Sequence, residues 1–524
     1  MANIPFDLKS RARQAMLETG FKPDFSPQVV QEVESLKQRR GVTTQIVGQA
    51  SRLSAGRLAP GVTNAGETPG AAGGRPAPLP ELQPRDLRAL LWSSIDNDSS
   101  RDLDQVEFVE KLPDGALRLL VGIADVDSSV PKGSATDSHA ASETTSVYTG
   151  VMTFPMLPSE LSTDLTSLVG DQDRISIIIE LHILDSGEVN CHDVYPALIH
   201  NRAKLAYSST GAWLEGTGPI PPAVAATPGM EGQIRLQQET SEKLRDLRKQ
   251  RGSLTFGSVE ATPVMENDQV KGLAVNRHNV AEDIIEGFMV AANVAMAQFL
   301  KEKGSLSIRR VVRTPKRWDG IQNIAVKFGV KLPPEPDPRA LSEFLDQRKA
   351  ADPEHFPDLS LSIVKLLGPG EYIVEAPGTE HEGHFGLAVH DYTHSTAPNR
   401  RYADLVTQRL LKATSAAGSA PYSESELSAI AAHCTEREDA ARKVERLMRK
   451  VIAASLLSGR IGEMFDGIVT GVTPKGTYVR LLKFPAEGRL IQGAQGVDVG
   501  DKVQVRLISV DVAKGFIDFE TTRR

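Results

Sequence analysis

The densest chemistry in the sequence lies between Ile95 and Gln105, Ile-Asp-Asn-Asp-Ser-Ser-Arg-Asp-Leu-Asp-Gln. Asp102 and Asp104 are two apart, so an extended chain turns both to one face. Asp96 joins them only if the polar stretch between loops back. Three carboxylates meeting at one point repel one another unless a divalent cation sits among them. Mg²⁺ is the hard ion that takes carboxylates, waters and phosphate oxygens, and in that setting it polarises a phosphate and activates water. From spacing alone, an Asp/Asn/Ser-rich surface turn accounts for the same residues. A calcium loop does not, because the sixth position counted from Asp96 or from Asp98 is not glycine.

A second constellation runs from His384 to Leu411, His-Phe-Gly-Leu-Ala-Val-His-Asp-Tyr-Thr-His and onward to a helix beginning near Tyr402. Arg400 and Arg401 stand at that helix start, where positive charge opposes the macrodipole. Two arginines there ask for a compensating anion. It is either a surface ion pair or a phosphate gripped by the guanidinium fork. His381, His384, His390 and His394 raise the thought of zinc, but no His-Glu-x-x-His spacing supports it. A third segment, Ser146 to Arg174, puts Tyr148 in a Gly/Thr-rich loop, and Tyr207 closes the run Ala203–Tyr207. Each tyrosine by itself is ordinary core filler. On a nucleic acid, each stacked base contributes ~1–3 kcal/mol.

Several elements must position these groups. LRLLVGIADV (117–126) and RISIIIELHIL (174–184) are β-branched runs bounded by polar turns and predict strands. Residues 281–300 carry apolar side chains at three- and four-residue steps and predict a core helix. Glu286 and Asn293 fall at the margin of its apolar stripe. Residues 231–251 predict a basic helix, and 216–229 an irregular insertion. Between positions 60 and 84, eleven of 25 residues are Gly or Pro, which predicts a linker. The preceding 60 residues carry nine Lys/Arg against five acids. Ser26 caps a predicted helix there, and this small basic module either touches nucleic acid or packs on its neighbour. After Ile461, short strands punctuated by Gly, Pro and Asp predict a small closed barrel.

The whole chain of 524 residues and net charge −7 excludes binding of a polyanion by bulk charge. Any nucleic-acid contact has to be local. Cys191 and Cys434 are too few for a disulfide framework or a zinc-thiolate site. The N-terminus has no apolar run of secretory type and no stretch reaches ~18 uninterrupted apolar residues, so the expectation is a cytoplasmic protein with no membrane partner.

In this order, IDNDSSRDLDQ, IADVDSSV, SVYTGVMTFPMLPSELS with DLTSL, AKLAY, EDIIEGFMVAANVAMA and HFGLAVHDYTHSTAPNRRYADLVTQRLL resemble the RNB catalytic domain of the ribonuclease II / ribonuclease R family. The text after Ile461 resembles the S1-type OB barrel that ends many members. The resemblance implies an α+β multidomain chain with an RNB domain (mixed sheet with helices) over 85–455 and an OB-fold S1 barrel over 460–524; the helical, winged-helix-like module expected over 1–60, before the linker over 61–84, departs from the tandem cold-shock barrels with which family members usually begin. It implies a processive, Mg²⁺-dependent 3′→5′ exoribonuclease, with Mn²⁺ as the alternative ion. That enzyme hydrolyses single-stranded RNA from a free 3′ end to nucleoside 5′-monophosphates, as a monomer and without a nucleotide cofactor. Asp96, Asp102 and Asp104 match the family's acidic cluster, and Asp104 the acid most needed. Arg400 matches the arginine set against the scissile phosphate, Tyr148 the channel tyrosine, Tyr207 the tyrosine beside the terminal nucleotide. Glu286 matches one of a Glu-Glu pair whose second member is here Gly287. Phe465 and Tyr478 of the barrel are expected to stack on RNA or to pack inside. The family's fourth acid is Gln105 here, which offers a metal a carbonyl oxygen but no charge. The alternative is therefore a weakened or inactive RNA-binding relative.

Overall fold

The computed structural model describes residues 6–39 and 83–523, apart from positions 258, 259, 267, 268, 277, 354, 380, 475, 483 and 485. Most of the expected linker therefore lies outside the described residues. The chain begins with α1 (Leu8–Glu18), capped by the Asp7 carboxylate on the Ser10 N–H, and α2 (27–39). Among the described residues this module is helical. Its apolar face, Leu8, Ala12, Ala15, Met16 and Phe21, shares a core with Val444, Met448 and Val451 far along the chain. The module packs on its neighbour.

The large domain opens with β1 (Arg85–Asp86), β2 (Trp92–Asp96), β3 (Gln105–Lys111) and β4 (Leu117–Ala124). Then come α3 (Ala135–Glu143), the short pair β5 (Val147–Tyr148) and β6 (Thr153–Phe154), and the long strands β7 (Asp173–Ile183) and β8 (Val189–Ala206). These β-branched runs bury both faces and form one mixed sheet in the order β1-β8-β2-β3-β4-β7. Pairing of β7 with β8 returns the sheet on itself. β8 is long enough to pair antiparallel with β7 in its first part and parallel with β2 at its end, where Asp96 stands opposite Ala206.

Helices α4 (Tyr207–Leu214), α5 (Pro222–Ala226) and α6 (Met230–Gln250) follow, then the hairpin β9 (Glu260–Glu266) and β10 (Gln269–Asn276), then α7 (Val280–Glu302). α7 is long and apolar enough to cross a membrane, yet Ile284, Phe288, Ala292, Met296 and Leu300 sit in the main core, so it is the core helix its periodicity predicts. A Cβ at Gly287 would meet Ser241 of α6 at 3.4 Å, so the position expected to hold a second glutamate is where two helices approach.

β11 (Ser307–Val311) pairs with β12 (Glu371–Glu375), and between them α8 (Trp318–Lys327), α9 (Pro338–Ala351) and α10 (Phe356–Leu367) build a satellite core. α11 (Tyr402–Ser415) is buried along nearly its whole length. α12 (Glu424–Leu457), opened by a Ser423/Glu426 capping box, reaches from the large domain to the C-terminal barrel. That barrel is closed, in the order β13 (Met464–Thr473), β14 (Gly476–Leu481), β15 (Glu487–Gln492), β17 (Phe516–Arg523) and β16 (Lys502–Asp511). The chain is thus the mixed α/β architecture with a terminal barrel that the sequence predicts.

Candidate active site

Asp96 ends β2, and Asp102 and Asp104 close the loop that re-enters the sheet as β3. The loop is pinned at several points. The Asp96 Oδ1 accepts from the Asn97 N–H and the Ser100 hydroxyl at 2.7 and 2.8 Å. The Ser167 hydroxyl accepts from the Leu103 N–H and donates to the Arg101 carbonyl, so the Asp-Leu-Thr-Ser-Leu segment clamps the acidic loop. The Lys204 ammonium donates to the Ser100 carbonyl. In this way an Asp/Ser-rich stretch becomes a fixed shelf rather than a free turn.

Arg400 arrives from nearly three hundred residues away. The stretch 144–146 pairs with 400–402 through Ser146 N–H to the Arg400 carbonyl and Tyr402 N–H to the Thr144 carbonyl. The Asn399 N–H donates to Asp104 Oδ1 at 2.9 Å, and the Asn399 side-chain oxygen accepts from Thr166. Asp104 is 1% exposed, and its second oxygen faces Arg400 Nε at 3.3 Å without a hydrogen bond. Burial pushes the Asp104 carboxyl up to about 7 against the pull of Arg400. Burial, with repulsion from Asp96, also raises Asp102, while Arg400 opposes it.

The Arg400 side chain is 46% open, yet Asp104, Tyr148, Arg401 and Asp96 all act on its charge. A cation so surrounded and still wet lines a cleft. Tyr148 stands over it, 43% exposed, with its hydroxyl 3.5 Å from Asp102 Oδ2 and pushed up to about 12 by burial. The Tyr148 N–H is held by Glu445 of α12 at 3.1 Å, and Gly150, at φ +82°, turns the loop back. Tyr207 begins α4, one residue beyond the Asp96/Ala206 pair. Burial raises its hydroxyl, with Asp96 and Glu107 adding to the effect.

The structure therefore brings Asp96, Asp102, Asp104, Arg400, Tyr148 and Tyr207 into one electrostatic neighbourhood. Gln105 is buried at the start of β3 beside them. Among the described residues the three aspartates do not close on one another within 4.8 Å, as a direct three-carboxylate shell would. The donors still fit a hard cation, because the sealed, unbonded Asp104 oxygen is what an ion or its water would complete.

The remaining residues singled out by the sequence lie as follows. Arg401 needs no external anion, for it makes two hydrogen bonds to the buried Asp404. Of the two arginines, only Arg400 faces the acids. Glu286 is exposed, pairs with Arg248 at 3.5 Å and lies beside His278 and Asp283. Asn293, instead of marking a helix margin, is buried and holds Ser395 of the histidine-rich loop. Phe465 packs inside the barrel, 8% exposed, edge-on to Phe484 with the Arg460 guanidinium over both rings. Tyr478 is half-exposed on the outer face of β14, cross-strand from Arg489. None of the four histidines gathers into a ligand set among the described residues. His394 is kept neutral by burial and meets the Tyr372 hydroxyl at 2.7 Å. The basic helix α6 spends its charge internally: Arg245, Arg248, Lys249 and Arg251 pair with Asp283, Glu286, Asp346 and Glu188. Glu107, fully buried opposite Ser93 of β2, was not singled out by the sequence. It hides in the alternation of a strand, and only its burial reveals it.

Comparison with known proteins gives a consistent picture. Residues 84–416 match the RNB domain, and residues 463–522 match the RNase II-type exonuclease C-terminal S1 domain. Ribonuclease R of Thermotoga maritima is 31% identical over 471 residues, which span 83% of this chain and 64% of that protein. Ribonuclease R 2 of Lactococcus lactis is 30% identical, spanning 84% of this chain and 70% of its own length. The chain thus spans about two thirds of the length of these curated relatives. The apo form of Mycoplasma genitalium RNase R superposes with a TM-score of 0.81 at 21% identity, over 98% of this chain and 78% of that one. Yeast Ssd1, a pseudonuclease, shares the fold at 18% identity and a TM-score of 0.64, over 78% of this chain and 50% of that one.

Proposed function

Because this chain belongs to the RNB-domain family of ribonucleases, we propose that it is a 3′→5′ exoribonuclease that hydrolyses single-stranded RNA to nucleoside 5′-monophosphates. The observation that carries the reading is the joining of Asp104 to Arg400. A buried carboxylate with an unbonded oxygen stands against a wet guanidinium at the foot of a cleft, with Asp102 and Tyr148 on its wall. Asp96, Asp102 and Asp104, with the Gln105 carbonyl oxygen, would hold Mg²⁺ or Mn²⁺. The ion would supply charge neutralisation and an activated water there.

The chain's own residues account for the rest. Arg400 is oriented by Asp104 and presents its remaining N–H groups to the cleft. There they bind non-bridging phosphate oxygens and stabilise the charge that grows on them. Asn399 fixes Asp104 through its backbone N–H, so the carboxylate does not follow the arginine when substrate arrives. Tyr148 and Tyr207 stack on bases near the 3′ end and read no sequence. Tyr478 and Arg489 on the barrel face would guide the incoming strand, and repeated engagement there with the cleft is the basis for processive action.

The rival is a relative that binds RNA without cutting it, as the pseudonuclease neighbour and Gln105 suggest. The unbonded Asp104 oxygen favours the enzyme. A site kept only for binding gains nothing from a sealed carboxylate that raises the cost of folding. The test is uniformly labelled, 3′-tailed single-stranded RNA with Mg²⁺ and, in parallel, with EDTA. Nucleoside 5′-monophosphates in Mg²⁺ only support the enzyme, and intact RNA in both supports the binder.

A further inference from the structure

The antiparallel register of β7 on β8 breaks at one point. Glu180 stands opposite Asp193, whereas Leu181 stands opposite Cys191, so His192 is an extra residue between them. A bulge of this kind re-aims its side chain. The His192 ring meets that of His182, and the two stack with centroids 4.3 Å apart and planes 7° apart. Alternation along β7 puts Glu180 on the same face as His182, and Glu180 Oε1 lies 3.6 Å from His182 Nε2. Ligand atoms of Glu180, His182 and His192 all lie within 4.8 Å of one another. Among the described residues neither ring makes a hydrogen bond, so each neutral imidazole keeps a lone pair free. The carboxylate is fixed in advance. Arg118 of β4 donates to both of its oxygens, at 2.8 and 3.0 Å, and the Tyr195 hydroxyl donates to Oε2 at 2.7 Å. Against the upward push of burial, these donors hold the Glu180 carboxyl below its ordinary value. Oε1 takes one of these donors only and keeps a second acceptor position. Arg118 also pairs with Glu110 at 2.6 Å, which balances its charge beside an incoming cation. The other group of this kind, His278 with Asp283 and Glu286, is already closed: the two His278 ring nitrogens pair with Glu282 at 2.8 Å and Asp283 at 2.7 Å.

We propose that Glu180, His182 and His192 form a site for a divalent transition-metal ion of the Zn²⁺ class, separate from the acidic cluster of the cleft. Two imidazoles and one carboxylate suit Zn²⁺ and its first-row neighbours, whereas Mg²⁺ asks for oxygen ligands. Three protein ligands leave a fourth position for water. A tilt of the two stacked rings brings both lone pairs onto one ion. His192 is exposed and His182 half-buried, so the ion enters from solvent. The site lies at the hairpin end of β8, far along the strand from Ala206, which pairs with Asp96. Bound there, the ion would tie β7 to β8 and, through Glu180 and Arg118, to β4. The inference stands whether or not the chain cleaves RNA.

The test is calorimetric titration of the full chain with Zn²⁺ after chelator treatment, with Mg²⁺ in excess to occupy the acidic cluster, together with melting with and without Zn²⁺. The wild type should bind Zn²⁺ and melt at a higher temperature in its presence, as binding to the folded state requires. His182→Ala and His192→Ala should each weaken this binding by about tenfold or more and remove most of the Zn²⁺-dependent rise in melting temperature. Melting without Zn²⁺ shows that each variant is folded. Glu180 is left in place, because its loss would also strip Arg118 and Tyr195 of their partner. Wild-type Zn²⁺ affinity in either folded variant, or a wild-type chain that takes up no Zn²⁺ in excess Mg²⁺, makes the two rings a stacked pair on the strand surface and overturns the inference.

Discussion

Asp104 concentrates the chemistry of the site in one side chain. Its carboxyl is raised by burial to about 7 from an unfolded value near 3.8, so without a cation the folded state prefers the neutral form. The folded chain then binds more protons than the unfolded chain between those values, and stability must fall as pH rises through that window. Melting in EDTA from pH 4 to pH 7 should show this loss in the wild type, and the slope should flatten in Asp104→Asn. Identical slopes in the two proteins would mean that Asp104 is not the group. Tyr148→Ala should weaken single-stranded RNA binding by ~1–3 kcal/mol in a fluorescence titration and shift the length of the final short product. An unchanged affinity and ladder would return Tyr148 to a packing role. Arg400→Ala should lower cleavage by about 10²–10³-fold, because it removes a donor aimed at developing charge. At this scale the sequence was legible where a motif names a residue, as at Asp96, Asp102, Asp104 and Arg400. It left open whether Arg401 takes an ion pair or a phosphate, and the ion pair is the one formed, with Asp404 three residues on; it was silent at Glu107, because alternation along a strand does not say which alternate side chain is sealed without a partner.

Elements supply the constraints that make those side chains converge. β2 ends beside the end of β8, which sets Asp96 against Tyr207, and the strip 144–146 beside 400–402 sets Tyr148 against Arg400. The strands and α7 were legible from periodicity, since two- and 3.6-residue patterns record burial directly. The N-terminal helices were legible as helices, but their destination was not, because nothing in residues 8–21 names α12 as their partner. Glu32 illustrates the link. Its carboxylate accepts from the Ala135 and Thr136 N–H groups and the Thr136 hydroxyl, and so caps α3 from outside. Glu32→Ala should lower stability by about 1 kcal/mol in chemical denaturation, while cleavage of unstructured RNA is kept. A variant as stable as the wild type would show that the cap contributes nothing. The sequence left Phe465 open between stacking and interior packing, because aromatic residues in a barrel strand face either way. The register that buries Phe465 leaves Tyr478 on the outer face.

At the scale of the whole molecule an acidic chain has to meet the polyanionic substrate proposed for it. Its basic helix α6 is neutralised by partners within the chain, so in the proposed reading the attraction for RNA comes from Arg400, the barrel face and a cation held by the acids. α12 joins these parts. It carries Glu445, which holds Tyr148, and its last turns pack into the barrel core through Ala453, Ala454 and Leu457. Arg480 of β14 adds a direct tie to Asp358 of α10 at 2.8 Å. In the proposed reaction Asp104 serves cleavage and not RNA binding. That role is tested most directly by nucleoside 5′-monophosphate release from 3′-tailed single-stranded RNA in Mg²⁺, compared between wild type and Asp104→Asn, with RNA affinity followed in the same samples. Release should vanish in the variant while affinity stays close to wild type. Wild-type release by Asp104→Asn, or no release by either protein, would contradict it.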